Sequence, residues 1–493
     1  MSGSNVHTVA VFPSNAFIDP VGSNRVEIES VLYQAVDLLL EEMAQANKRS
    51  PLPEPISTEQ LTQWAQIPEQ SVAVDVLMAQ VRSQLQHSMN SAHPGYIGHM
   101  DSIPTTLSIV GDLLVAALNN NMLSVEMSPI FSRLETLVLR QIASRFGLGD
   151  ASGGLLVSGG SLANLQALTV ARNVAFDAVA EGIVGLDVQP VFFVSEVAHT
   201  SMQKAAMMMG LGSQAAIPLR INANSQVDIA DLQAKLDQAK ANGQQPFAIV
   251  ATAGTTVTGN VDPIEEMGAI ARAQNLWFHV DAAYGGAVVF SDTHRSLLAG
   301  IDQADSVTFN PQKWLYVTKT CATVLFKRFD LLKTHFRIRA PYMGDDAEWP
   351  NLGELTVQGT RHADILKLWL SLQHVGSTGY NSIIDHSYAF TAQFVQRVQA
   401  RAHLQLASQP QMNLVCFRLA PSGTNAASQD ELNAKLQRYL LSFSEPSKGV
   451  FLSLPTYRGQ RWLKAVLLNP DTTIDTLDAL FQSIDRFTEK VNL

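Results

Sequence analysis

Between about residue 150 and residue 326 the chain repeats one pattern. A short apolar run ends in small or polar residues and is followed by a stretch with helical spacing. The runs are "GLLVSGGS", "VFFVS", "AAIPLRI", "FAIVATAG", "WFHVDAA", "SVTFN" and "CATVLFK". Between them lie "SLANLQALTVARNVAFDAVA", "SMQKAAMMM", a segment near 228–241 and "PIEEMGAIARAQ". Short strands alternating with helices specify an α/β domain, a mostly parallel sheet covered by helices. Thr200 reads as the cap of the second helical stretch, and Asp262 with Pro263 as cap and first-turn proline of the last. Ligands of such sheets bind beyond the carboxyl ends of the strands. The alternation therefore predicts that "SGGS", "SEVAH", "ATAGTT", "HVDAAY" and "FNPQK" share one rim.

The flanks read differently. Residues 1–90 are helical in pattern, with apolar residues of "VEIESVLYQAVDLLLEEMAQA" recurring at three and four. "SPLPEP" breaks that pattern, and Ser57 then offers an N-cap with Gln60 three residues on. Residues 329–360 are irregular and carry "GDDAEWPN", a candidate lid. "ADILKLWLSLQHV" restarts a helix, and the strand-like "NLVCFRLA" and "WLKAVLLN" mark a smaller α+β domain. The expected division is a helical N-terminal segment (1–90), a large domain (91–375) and a small C-terminal domain (376–493).

Composition narrows the function classes. The 34 Lys+Arg against 44 Asp+Glu form no basic stripe, which argues against nucleic acid as a partner. No apolar run reaches the ~20 residues of a membrane helix, so no membrane partner is expected. The start has no signal-peptide pattern. Two cysteines, Cys321 and Cys416, fit a reducing compartment, and a cytoplasmic protein is predicted.

The rim residues suggest chemistry. Gly160 and Ser161 follow a strand and open a helix, an arrangement that suits either a phosphate cradle or an ordinary tight turn. Asp281 closes a buried strand, where a carboxylate needs a cation or a donor. A protonated ring nitrogen would serve, as would a nearby arginine or a loop to cap. Ala283 leaves room for a flat ring, and His199 is placed to stack on one, though a lone histidine is more often structural. Lys313, in "FNPQKWLYV", is either a snorkelling surface cation or a buried amine with nucleophilic character. Taken together, an anion cradle, an acid for a ring nitrogen, a stacking imidazole and a reactive amine describe a site for pyridoxal 5′-phosphate (PLP). No metal ion is expected.

At these residues the sequence resembles the PLP-dependent group II amino-acid decarboxylases, which include glutamate, aromatic amino-acid and 2,4-diaminobutyrate decarboxylases. "HVDAAYGG" and "NPQKW" are the most specific matches. "HPGYIGHM", "LNNNMLSVEMSPIFSRLE", "SGGSLANLQAL", "ATAGTT" and "GTRHADILKLWL" follow in family order, so the likeness runs from about 90 to 375. The resemblance implies PLP fold type I and a homodimer with the active site at the interface, the N-terminal segment packing across it. It implies that Lys313 carries the cofactor, that Asp281 pairs with the ring nitrogen, and that His199 and Ala283 lie on opposite ring faces. Gly160, Ser161 and Asn310 would lie near the phosphate, Thr255 or Thr256 near the ring, and His93 and Tyr96 in the substrate pocket.

Three positions depart from the family pattern. Gln312 stands where a histidine is usual, which would alter phosphate contacts or reprotonation. No tyrosine occurs in 343–360, where many members carry a lid tyrosine, although Tyr342 lies just upstream. Lys464 replaces an arginine that holds a substrate carboxylate in several relatives. The implied reaction is decarboxylation of an L-amino acid to its amine. Asp345, Asp346 and Glu348 form either a solvated acidic loop, the more common case, or, where the candidate lid closes over the site, a face that favours a 2,4-diaminobutyrate-like substrate, with glutamate, aspartate and aromatic amino acids open. The rival readings are a decarboxylation-coupled oxidative aldehyde synthase and another fold type I PLP lyase, such as one using a catalytic cysteine.

Overall fold

The computed structural model describes residues 12–101, 103–341, 343–344, 348–442 and 445–492. Contacts divide them into two compact units. One runs to Tyr96 and takes in Arg438–Phe451 and Asn469–Asn492; the other comprises Ile97–Gln437 and Leu452–Leu468.

The first unit opens with helices α1 (Arg25–Ala44), α2 (Thr58–Trp64) and α3 (Val74–Gln86). Ser57 caps α2, its side chain accepting from the Gln60 N–H. Buried Glu42 of α1 is clasped by Arg82 at 3.2 Å and Gln86 at 3.0 Å, both on α3.

The second unit begins with α4 (Thr106–Leu118) and α5 (Pro129–Arg145). The expected alternation follows: β1 (Gly153–Val157), α6 (Gly160–Phe176), β2 (Gln189–Ser195), α7 (Ser201–Met208), β3 (Ala216–Leu219), α8 (Ile229–Ala241), β4 (Gln244–Thr252), α9 (Ile264–Ala273), β5 (Trp277–Asp281), β6 (Ser306–Phe309) and β7 (Ala322–Phe326). These strands form one sheet in the order β1-β7-β6-β5-β4-β2-β3. Its neighbours from β6 to β3 pair in parallel, while β7 runs antiparallel to both β6 and β1. β1, β2, β4, β5 and β6 therefore all point the same way. Their carboxyl ends share one edge, as the alternation requires.

Two expected helix caps are corrected. Asp262 does not cap α9; the N-cap position is Pro263. The Asp262 carboxylate instead accepts from the Val227 N–H at 2.9 Å and the Thr252 N–H at 2.8 Å, tying two loops to β4. Thr200 sits at the N-cap of α7 but makes no side-chain cap bond. Cys321 lies just before β7 rather than in it.

Residues 329–360 are mostly irregular but include a short helix, α10 (Leu331–His335). Of the acidic candidate lid, Asp345 and Asp346 lie outside the described residues, as does Tyr342. The next helix, α11 (Ile365–Gln399), is interrupted at Gly376, whose φ of 68° and ψ of 168° suit a residue without a Cβ. A three-stranded antiparallel sheet follows from β8 (Leu404–Leu406), β9 (Leu414–Leu419) and, after α12 (Ala426–Leu441) and the β10–β11 hairpin (Thr456–Tyr457 and Gln460–Arg461), β12 (Leu463–Val466). The last helix, α13 (Ile474–Lys490), belongs to the first unit and buries Leu477, Leu480, Phe481, Ile484 and Phe487 along one stripe. No helix among the described residues is long and apolar enough to cross a membrane.

Candidate active site

Five strands deliver side chains to one cavity of about 210 Å³ at their shared edge. Gly160 and Ser161 follow β1, and His199 follows β2. Thr252, Gly254 and Thr256 come from the end of β4, Asp281, Ala283 and Tyr284 from β5, and Asn310 and Lys313 from the loop after β6. Asn164, one turn into α6, completes the lining.

The cradle at α6 follows from its first residues. The leading N–H groups of a helix have no acceptor inside it, and the helix dipole favours an anion there. A Cβ at Gly160 would come within 2.9 Å of Asn310 Nδ2, so only glycine leaves this approach open. Asn310 is buried and its Oδ1 has no protein partner, which leaves that atom open to a ligand. Thr252 Oγ1 is another buried atom without a partner.

Asp281 is 5% exposed. Its Oδ2 accepts from Asn164 Nδ2 at 2.9 Å, and its Oδ1 accepts from the Ala283 N–H at 3.1 Å. Part of its role is thus to cap a loop, one of the readings open from the sequence. Lys313 closes a turn by donating its N–H to Asn310 O at 3.0 Å. Burial pulls its ammonium pKa below the ordinary lysine value, opposed by the charges of Asp281 and Asp101. That moves the amine toward its nucleophilic form.

His199 takes over the cap that Thr200 does not supply. Its Nδ1 accepts from the Ser201 N–H at 3.2 Å and lies 2.9 Å from Ser201 Oγ. Desolvation on the protein side lowers its pKa, against the opposing charge of Asp281. Of the two candidate threonines, Thr256 lines the cavity. The Thr255 hydroxyl is taken up inside the turn by Thr258 Oγ1 at 2.8 Å and the Asn260 N–H at 3.1 Å.

Lys464, on β12, is 5% exposed and its Nζ approaches Thr256 O at 3.4 Å. Burial lowers its pKa, and the charge of Lys313 lowers it further. His99 belongs to the same group, its pKa lowered by burial and then by Lys464. His93 and Tyr96 belong to the first unit. His93 Nδ1 accepts from the Gly95 N–H at 2.8 Å, and the Tyr96 ring stacks on Phe451. Gln312 is turned toward Cys321, whose backbone N–H its side-chain oxygen accepts. Both cysteines are buried, and burial raises the Cys416 thiol to about 12 and the Cys321 thiol far above its ordinary value, a poor setting for a catalytic thiolate. Asp112, His362 and Asp364 come together elsewhere, but Lys367 Nζ already pairs with both carboxylates at 3.1 and 3.0 Å.

The sequence reading missed Asn164, Thr252, Tyr284 and His99. Asn164 did carry a signal, since it is a polar residue four positions after Gly160 and on the same helix face.

The residues present fit PLP: a cradle for an anion, a carboxylate for a ring nitrogen and an amine for an aldehyde. Comparison with known proteins agrees. The family model described as the pyridoxal-dependent decarboxylase conserved domain matches residues 55–420. An L-aspartate decarboxylase, dtxS4, of Metarhizium robertsii is 31% identical over 434 residues, covering 85% of this chain and 84% of that protein. An L-2,4-diaminobutyrate decarboxylase of Acinetobacter baumannii is 30% identical over 83% of this chain and 82% of its own. The crystal structure of mouse CSAD in apo form matches with a TM-score of 0.87 at 26% identity, over 94% of this chain and 99% of that one.

Proposed function

The chain belongs to the pyridoxal-dependent decarboxylases, a family that converts amino acids to amines with PLP as cofactor, and from that premise we propose which residues do the work and which substrate they take. When bound, PLP supplies an electron sink for the bond between Cα and the departing carboxylate. The Lys313 amine would hold the cofactor at its aldehyde carbon, and Lys313 or a lid group would return a proton to Cα. Asp281 keeps the ring nitrogen protonated. His199 and Ala283 would bracket the ring, Gly160, Ser161 and Asn310 would take the phosphate, and Thr256 would lie near the ring oxygen. The observation that carries this reading is the meeting of Lys313, Asp281, His199 and the open end of α6 in one cavity.

For the substrate we propose an L-amino acid with a short acidic side chain. Lys464 is buried with its Nζ beside Thr256, a residue of the cavity lining, and an ammonium in that position would be stabilised by an incoming carboxylate. Lysine offers a point charge rather than a fork, and so accepts carboxylates at more than one angle. The aspartate decarboxylase among the relatives accords with this choice. A cationic substrate such as 2,4-diaminobutyrate is the second reading, favoured by Asp101, whose charge reaches both Lys313 and Lys464.

The test is CO₂ release by the PLP-loaded enzyme across aspartate, glutamate, 2,4-diaminobutyrate, ornithine, tyrosine and tryptophan. Turnover of aspartate or glutamate supports the acidic reading, and turnover of diaminobutyrate alone replaces it with the second. Peroxide and ammonia assayed in the same reactions detect the oxidative aldehyde outcome.

The same reading includes a homodimer with the active site at its interface and His93 and Tyr96 at the substrate. Exposed Val110, Leu113, Leu114 and Leu118 on α4 support it, because such a row costs free energy in water. Sedimentation of the holoenzyme tests it. It also includes residues 1–90 as a segment packing across the dimer, 91–375 and 376–493 as large and small domains, and a cytoplasmic location, supported by two free buried cysteines.

A further inference from the structure

Asn164 is 1% exposed, and its amide makes three bonds beneath the cavity. Nδ2 donates to Asp281 Oδ2 at 2.9 Å and to Ser201 Oγ at 3.0 Å. Oδ1 accepts from His279 Nε2 at 3.1 Å. Beyond these three bonds, Ser201 Oγ lies 2.9 Å from His199 Nδ1. On the other side, His279 Nδ1 lies 2.9 Å from Ser306 Oγ, which accepts from Trp277 Nε1 at 2.8 Å.

The carboxylate end fixes the orientation of the Asn164 amide, and a neutral His279 then fixes the remaining protons. An indole N–H only donates and a carboxylate only accepts. Trp277 therefore donates to Ser306, and with His279 neutral the Ser306 hydroxyl donates to His279 Nδ1. The His279 Nε2–H donates to Asn164 Oδ1, and the Asn164 amide donates to Asp281 and to Ser201. Ser201 then donates to His199. Turning the Asn164 amide over would set its oxygen against the Asp281 carboxylate and its NH₂ against the His279 Nε2–H. Complete burial favours the neutral form of His279, with a pKa of about 4.

A histidine of 0% exposure inside β5 is costly unless its bonds are used, and a phenylalanine would fill the space without that cost. We infer that Asn164 is a positioning residue that joins Asp281 and His199 through one amide group, with His279 setting the orientation of that amide. The inference rests on the reading that Asp281 and His199 face the cofactor ring. Its consequence is that these two side chains cannot reorient independently, and that Asp281 stays an acceptor aimed in a fixed direction.

The test is PLP titration of the apoprotein, followed by absorption, with folding checked by circular dichroism. Three variants are compared: Asn164→Asp, His279→Phe and His279→Gln. Glutamine sets an amide N–H near the place of Nε2–H, whereas phenylalanine keeps only the ring's volume. A packing role for His279 predicts that phenylalanine is the better replacement. The inference predicts the opposite order: His279→Gln close to wild type, and His279→Phe and Asn164→Asp weaker by about tenfold or more. Wild-type affinity in His279→Phe, or a glutamine variant no better than the phenylalanine one, overturns it. Should His279→Phe fail to fold, Asn164→Asp decides alone, because it is nearly isosteric; wild-type affinity there overturns the inference. Asp281→Ala separates the two levels. If it binds PLP as wild type does, the ring-facing reading itself fails. If it binds weakly while Asn164→Asp and His279→Phe do not, only the positioning role fails.

Discussion

Gln312 grips Cys321 from both sides of its peptide: the Gln312 side-chain oxygen accepts the Cys321 N–H, and the Gln312 N–H donates to the Cys321 carbonyl at 3.2 Å. This pair closes the base of the loop that carries Lys313. Sequence resemblance pointed to altered phosphate contacts or reprotonation at this position, and the Gln312 side chain is engaged in the loop itself. Gln312→Ala would leave a buried N–H without a partner, at a cost of about 1–3 kcal/mol. The expected result is a lowered thermal midpoint of the apoprotein, with Gln312→Glu, which keeps an acceptor, falling between the alanine variant and wild type.

Lys313→Ala removes the amine without disturbing the backbone bond that its N–H makes to Asn310 O. Turnover should fall by about a thousandfold or more if Lys313 is the cofactor's anchor as proposed. Circular dichroism of the variant should match wild type. Retained CO₂ release would remove Lys313 from the assigned role.

Gly160→Ala tests the cradle. The added Cβ meets Asn310 Nδ2 at 2.9 Å, so the amide must shift away from the position a phosphate would share with it. PLP affinity should fall by roughly tenfold, equivalent to about 1.4 kcal/mol. The apoprotein's thermal stability should hold or rise, since alanine is the better helix former. Unchanged affinity, measured by titration, would place the phosphate elsewhere.

Local pattern carried most of the fold but only part of the site. The short apolar runs and helical stretches between 150 and 326 made the shared rim of the motifs legible, because a parallel sheet sends the carboxyl ends of its strands to one edge. Thr255 and Thr256 were not separable in advance: adjacent residues in a tight turn point to different sides, and only the turn's closure by Thr258 and Asn260 decides which. Asp262 read as a helix cap because it precedes Pro263, yet a loop N–H, that of Val227, and the last N–H of β4, that of Thr252, compete for the same carboxylate and win. Asn164 was passed over because its partners, Asp281 and Ser201, are distant in sequence and meet it only through the sheet.

His279 gives the apoprotein a predicted acid sensitivity. Its pKa falls from an ordinary 6.5 to about 4 on folding, so the unfolded chain takes up the proton first as pH drops. The stability this group contributes is complete above the unfolded pKa of 6.5. It is lost as pH falls toward the folded value of about 4. The full difference is about 3 kcal/mol. Denaturation of wild type and His279→Gln at a series of pH values between 7 and 4 should show the wild type losing more stability across that window. Parallel curves would show that His279 does not titrate on unfolding as its burial requires.

Lys464→Met separates the two substrate readings by the direction of its effect. Methionine keeps most of the volume and removes the charge, so the β12 packing around a 5% exposed side chain should survive. If the ammonium pairs with a substrate carboxylate, losing it should raise KM for aspartate or glutamate by about 10- to 100-fold, the worth of a charge-assisted hydrogen bond. The fall in kcat should be smaller, since a group that pairs with the side-chain carboxylate acts in binding rather than in proton transfer. For a cationic substrate the sign reverses: removing a buried positive charge lowers KM for 2,4-diaminobutyrate. One variant assayed against both amino acids therefore reports which charge the pocket was built to receive. Equal KM values before and after the change for both would take Lys464 out of substrate recognition altogether.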